Sequence, residues 1–66
     1  MNYADVYQDF VEDIFEQHHH DIEATIAYIA KNIPEIYEWK PDIREARKRL
    51  TPEERNTIIW HIITPF

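Results

Sequence analysis

The chain contains no cysteine, no glycine and no serine. Without cysteine there is no disulfide and no thiolate metal ligand, so the cross-links that staple many small domains are unavailable. Lacking both cysteine and serine, it also lacks the two commonest catalytic nucleophiles. The absence of glycine argues against P-loop and dinucleotide-binding loops and against short β-hairpins, which lean on that residue for positive φ. The longest apolar run, Ile58 to Ile63, is interrupted by His61 and is far too short to span a bilayer. No basic-plus-apolar segment precedes a small-residue cleavage site, so no secretory signal is expected. A chain free of cysteine fits a reducing compartment, and a cytoplasmic location is expected.

Positive charge is scarce and unevenly placed. Thirteen acids oppose seven bases in 66 residues, for a net charge of −6. Residues 1 to 39 hold nine of the acids and one base, Lys31, whereas residues 40 to 66 hold four acids and six bases. A net-acidic chain is a poor general nucleic-acid binder, because phosphate binding rests on cationic charge. The basic block remains free to meet nucleic acid or an acidic protein face. The length allows one domain, and a chain this short buries only about 60% of its unfolded surface. Tight helix packing or self-association must then supply the stability.

The spacing of apolar residues predicts helices throughout. Tyr3, Tyr7, Phe10 and Ile14, with Val6, Val11 and Phe15, recur every three or four positions. Asp5, Asp9, Glu12, Asp13 and Glu16 fill the other face, which predicts an amphipathic helix from Tyr3 to Gln17. His18, His19 and His20 form a connection, and Asp21 can begin a second helix. That helix carries Ile22, Ile26, Ile29 and Ile33 as its stripe, and Ala24, Ala27 and Ala30 would let another helix approach closely. Pro34 is expected to end it near Ile33. Residues 35 to 40 then read as a short helical turn or an irregular linker. Pro41 suits the start of a short basic helix from Asp42 to about Leu50. Thr51, Pro52 and Glu54 give the pattern of a capping box opening a last helix that Pro65 stops. The expected fold is all-α, a compact bundle of three to four short helices, and dimeric.

The dimer expectation comes from the last helix. At about 100° per residue, Ile58, Ile59, Trp60, Ile62 and Ile63 cover most of its circumference. One side can face the chain's own core, and a second copy would cover the other. Ile59, Trp60 and Ile63, with Phe66 beyond them, are the candidate dimer or partner interface, and tryptophan is favoured at interface centres. Full burial of such a side chain contributes on the order of 2 kcal/mol or more. Trp60→Ala is therefore expected to be severe. Tyr37 and Trp39 are the other candidate outward contacts.

The remaining constellations carry less. Imidazoles bind transition metals, but adjacent histidines do not share a helix face, and ligands on one face need spacing of three or four. No metal site, cofactor or catalytic residue is expected. The helix-one carboxylates could imitate a phosphate backbone in another protein's basic cleft. Arg44, Arg47, Lys48, Arg49 and Arg55 form a possible charged contact patch for nucleic acid. The helix that follows is apolar, however, where a recognition helix must show polar side chains to base edges. The bland alternative is neutralisation of these bases by acids of helix one or of a second subunit.

In size, acidity, helicity and lack of cysteine and glycine, the chain resembles the small early proteins of bacteriophages. The stretch His18-His19-His20-Asp21-Ile22-Glu23-Ala24 and the segment Tyr37-Glu38-Trp39-Lys40-Pro41 point to the short helical products of the exo–xis region of lambdoid phages. The resemblance is one of overall character, and no functional residue is carried over from it. It implies a modulator of lysis–lysogeny that acts on a host or phage protein in the host cytoplasm. The expectation is a non-enzymatic regulator that acts on an unidentified protein partner, with no membrane contact. Direct nucleic-acid binding through residues 44 to 55 and acidic DNA mimicry are the alternatives.

Overall fold

Four helices make the fold, and each starts where a capping side chain or a proline permits it. A computed structural model describes residues 2–66, with helices α1 (Tyr3–Gln17), α2 (Ile22–Trp39), α3 (Pro41–Arg49) and α4 (Pro52–Ile63). No strand occurs among the described residues. Asn2 caps α1, its side-chain oxygen accepting from the Ala4 and Asp5 amides. Asp21 caps α2 through the Ala24 amide. Thr51 and Glu54 close the capping box of α4, with Thr51 N–H donating to Glu54 and Glu54 N–H donating to Thr51.

The first helix is the hub. Tyr7, Phe10, Val11, Ile14 and Phe15 are buried, a spacing that puts one continuous stripe against the other three helices. Ile29 of α2, Ile43 and Ala46 of α3, Leu50, and Ile58 and Ile62 of α4 complete the core. Thr25 is fully buried too, and its hydroxyl donates to the Asp21 carbonyl at 2.7 Å, so no polar group is orphaned there. The bundle measures 29 × 22 × 17 Å.

Two features of α2 differ from the sequence expectation. The helix does not end at Ile33. It runs through Pro34 to Trp39, and residues 35 to 39 are helical rather than a linker. Pro34 has no N–H to donate to the Ala30 carbonyl, a mid-helix defect that costs about 3 kcal/mol. Ile33 and Ile36 pack against the core on either side of it, and their burial offsets a cost of that order. Pro41 is the proline that ends the helix: Lys40, the residue before it, leaves the α region (φ −134°, ψ 78°), which is disfavoured ahead of a proline. The inward register also differs. Thr25 and Ile29 are buried with Ile22, Ile33 and Ile36 beside them, while Ile26, Ala27 and Ala30 are exposed. Ala27 and Ala30 therefore meet no helix among the described residues, and Ala24 is only half-buried.

The histidine run is the end of α1. His18 is its C-cap, His19 N–H donates to the Glu16 carbonyl and His20 N–H to the Phe15 carbonyl. That pairing is the Schellman motif. His19 and His20 take left-handed φ values of 56° and 63°. Glycine usually fills such positions, and a chain without glycine uses histidine, one of the residue types enriched there.

Candidate interaction surfaces

The residues expected to form outward contacts fall in three separate places. Tyr37 and Trp39 sit two positions apart at the end of α2 and so point to nearly opposite sides. Trp39 is 82% exposed, the most open large apolar side chain among those described. It stands between two clefts of about 330 and 350 Å³ that separate α1 from the α2–α3 corner. Phe10 floors both clefts, and Asp9, Asp13, Glu35 and Asp42 stand around them with Lys40 as the one base. Tyr37 turns towards α3, where its hydroxyl accepts from Arg47 Nη1 at 3.1 Å.

On α4 the apolar circumference divides. Ile58 and Ile62 are buried, and Ile59 and Ile63 are half-buried against the chain's own core. Trp60 alone points outward, 62% exposed, among Asn56, Thr57, His61 and Thr64. Within a single chain, Trp60→Ala removes little buried surface. A severe effect of that change rests on a second chain. Phe66 is 72% exposed, yet its ring lies against Phe15 and His20, at the opposite end of α1 from the helix start.

The basic residues do not neutralise the acids of α1. Arg44, Arg47, Lys48 and Arg55 line one cleft with Tyr37, and none forms a salt bridge among the described residues. Arg49 departs from this group. It pairs with Glu45 at 3.5 Å, and its guanidinium lies 6.0 Å from the Tyr3 ring centre. Tyr7 lies near the same cleft. Burial pushes its pKa above the usual tyrosine value, while the positive charges of Arg47 and Arg55 pull it partly back.

The helix-one acids are split between faces. Asp9 and Asp13 belong to the Trp39 clefts, and Glu12 and Glu16 stand with His61 and Phe66 at a separate cleft. Glu12 also accepts from the Gln8 amide at 2.8 Å. The three histidines act singly. His18 Nδ1 is 2.8 Å from the Ile14 carbonyl, a geometry that calls for a proton on that nitrogen. No group of three or more metal-ligating side chains occurs among the described residues. No helix among them is long and apolar enough to cross a membrane.

Sequence reasoning grouped Arg55 with the α3 bases but missed Tyr37, which it assigned to a different contact, and it included Arg49, which lies outside this cleft. No local signal ties Tyr37 to Arg47, because the two lie on different helices. No known protein family, curated protein or solved structure matches this chain.

Proposed function

We propose that this chain is a small non-enzymatic interaction module that regulates a partner protein in the cytoplasm, and that the Trp39 face makes the contact. The observation that supports it is a tryptophan 82% exposed between two apolar-floored clefts. A surface tryptophan beside clefts is the usual chemistry of an interface anchor. The acids around the clefts outnumber the bases four to one, so the partner segment is basic with an apolar anchor residue. The likeness to early phage proteins would make that partner a host or phage protein and its outcome the choice between lysis and lysogeny.

A homodimer through Ile59, Trp60 and Ile63 belongs to the same reading, and the exposure of Trp60 supports it. The alternative, nucleic-acid binding through residues 44 to 55, draws on the unpaired arginines and lysine of that region. Acidic mimicry draws less support, because the carboxylates of α1 divide between the Trp39 clefts and a separate cleft beside Phe66.

Panning a random-peptide library on the wild-type chain, with Trp39→Ala as counter-selection, tests the main reading. The expected consensus holds Lys or Arg around one large apolar residue, and Trp39→Ala loses those peptides while melting as the wild type does. A library that yields no consensus, or peptides that bind Trp39→Ala equally, would remove the Trp39 face from the account.

A further inference from the structure

The cleft beside Tyr37 gathers positive charge that no carboxylate among the described residues pairs with. Arg44, Arg47 and Lys48 come from one face of α3, since steps of three and four residues return to the same side of a helix. Arg55 comes from the start of α4 and Tyr37 from the end of α2. Together they line about 280 Å³ of open space with four cations and no carboxylate. Like charges this close repel one another.

Two atoms sharpen the point. Arg47 Nε and Arg55 Nε are both shielded from solvent and have no hydrogen-bond partner among the described residues. Buried donors of a charged group are ordinarily paired. Arg47 spends one Nη1–H on the Tyr37 hydroxyl, which holds its guanidinium in place and still leaves Nε without an acceptor. Tyr7, close by, is a neutral phenol near pH 7, as any tyrosine is, and burial raises its pKa further, so it brings no negative charge. Arg49 shows the contrast: on the same helix, the chain supplies it with Glu45.

We propose that this cleft binds a compact phosphate-type dianion, either free phosphate or the terminal phosphate of a monoester. A tetrahedral oxyanion offers oxygens in several directions and can meet donors arriving from α3 and α4 together. A carboxylate offers two oxygens in one plane and suits a single guanidinium fork. A nucleic-acid backbone fits less well. The cations are gathered in one cleft rather than strung along a surface, and a chain of net charge −6 repels the rest of a polyanion. The inference is independent of the Trp39 contact and stands or falls apart from it.

The test is a titration of inorganic phosphate into the nitrogen-15-labelled chain, with ionic strength held constant by chloride. Saturable shifts are expected at the Arg47 and Arg55 Nε–H signals, with the Trp39 and Trp60 indole signals unmoved. Arg44→Gln and Lys48→Gln change exposed side chains and should fold normally, and each should weaken binding roughly tenfold through loss of one charge-assisted contact. Arg49→Gln makes the same change in net charge and should leave affinity nearly unaltered. Titrating O-phospho-L-serine separates the two sources: tighter binding than inorganic phosphate assigns the site to a monoester, and weaker binding assigns it to the free ion. Shifts that rise linearly without saturating, or an Arg49→Gln loss equal to that of Arg44→Gln, mean diffuse screening and overturn the proposal. A short mixed-sequence DNA duplex that binds more tightly and displaces phosphate from Arg47 and Arg55 overturns it in favour of nucleic acid.

Discussion

The imidazole of His20 stacks on the ring of Phe66, with centroids 4.3 Å apart and planes inclined by 30°. The turn that ends α1 is thereby joined to the last residue of the chain. Phe15 completes the cluster, its ring 5.3 Å from His20 and 5.4 Å from Phe66. The Phe15–His20 contact is also the apolar pairing that accompanies a Schellman cap. The histidine run is thus explained by backbone geometry and ring packing.

His19 and His20 share the left-handed backbone, but only His20 has ring partners. A non-glycine residue there costs about 1–2 kcal/mol. Replacing His19 with Gly relieves that strain with little side-chain loss. Some of the gain is returned because glycine also frees the unfolded chain. The expected outcome is a stabilisation of about 1 kcal/mol in urea denaturation, and His19→Val should be clearly destabilising. A less stable His19→Gly would show that the exposed imidazole contributes a contact of its own.

At His20 the same substitution has two opposed effects. His20→Gly relieves the backbone but removes the stacking on Phe66 and Phe15, and an aromatic pair is worth about 0.5–1.5 kcal/mol. The net change should be close to zero. Phe66→Ala alone should destabilise by a similar amount, about 1 kcal/mol. In the Phe66→Ala background, His20→Gly should become stabilising. A double-mutant cycle with no coupling between the two positions would contradict the stacked geometry.

Pro34 is exposed and interrupts the backbone ladder of α2. Pro34→Ala restores a donor for the Ala30 carbonyl and removes the ring clash in the preceding turn. A gain of about 1–3 kcal/mol in unfolding free energy is expected, with the backbone amide created by the substitution protected in hydrogen exchange. An unprotected amide and no gain would mean that the helix is open at this point.

Glu54 links the pH to the start of α4. Its pKa lies below the usual carboxylate value, chiefly because the Thr51 backbone N–H donates to it and also because of its bond with the Thr51 side chain. The folded pKa is therefore lower than the unfolded one. The stabilisation is fully present above the ordinary carboxylate range and is lost as pH falls through the folded value. Glu54→Gln keeps an acceptor oxygen but does not titrate. The difference in melting temperature between wild type and Glu54→Gln should shrink as pH falls from about 6 towards about 3. A difference constant over that range would detach the carboxylate from the cap.

The helices at both ends of the chain are legible in the sequence because their signals are local. The apolar recurrence around Phe10 and the Thr51–Glu54 box each lie within a few turns of one helix. The middle is harder to read for a physical reason. Proline's preference is a local penalty, and the packing of Ile33 and Ile36 that overcomes it depends on α1 and α3 being in place. Ile26 matches the isoleucine spacing of the inner face, but Thr25 takes that position by satisfying its hydroxyl on the Asp21 carbonyl. The four cations of the cleft are legible as a basic block, but the place of Tyr37 among them is not, because it comes from a different helix, α2.

Trp60 and Ile62 should separate self-association from folding. Ile62 is buried, and Ile62→Ala should cost about 2–5 kcal/mol, enough to unfold much of a domain this small. Trp60 is mostly exposed, so Trp60→Ala should change the stability of an isolated chain by less than about 1 kcal/mol. Light scattering then decides what the exposed indole is for. If the chain dimerises through α4, the wild type should weigh twice 8.1 kDa at high concentration, and Trp60→Ala should return it to 8.1 kDa with its helical content intact. A wild type that stays at 8.1 kDa over the whole range would dismiss the dimer and leave Trp60 open to a different partner. A dimer that survives Trp60→Ala would move the interface away from α4, and the exposed Ile26, Ala27 and Ala30 strip of α2 would be the next face to change.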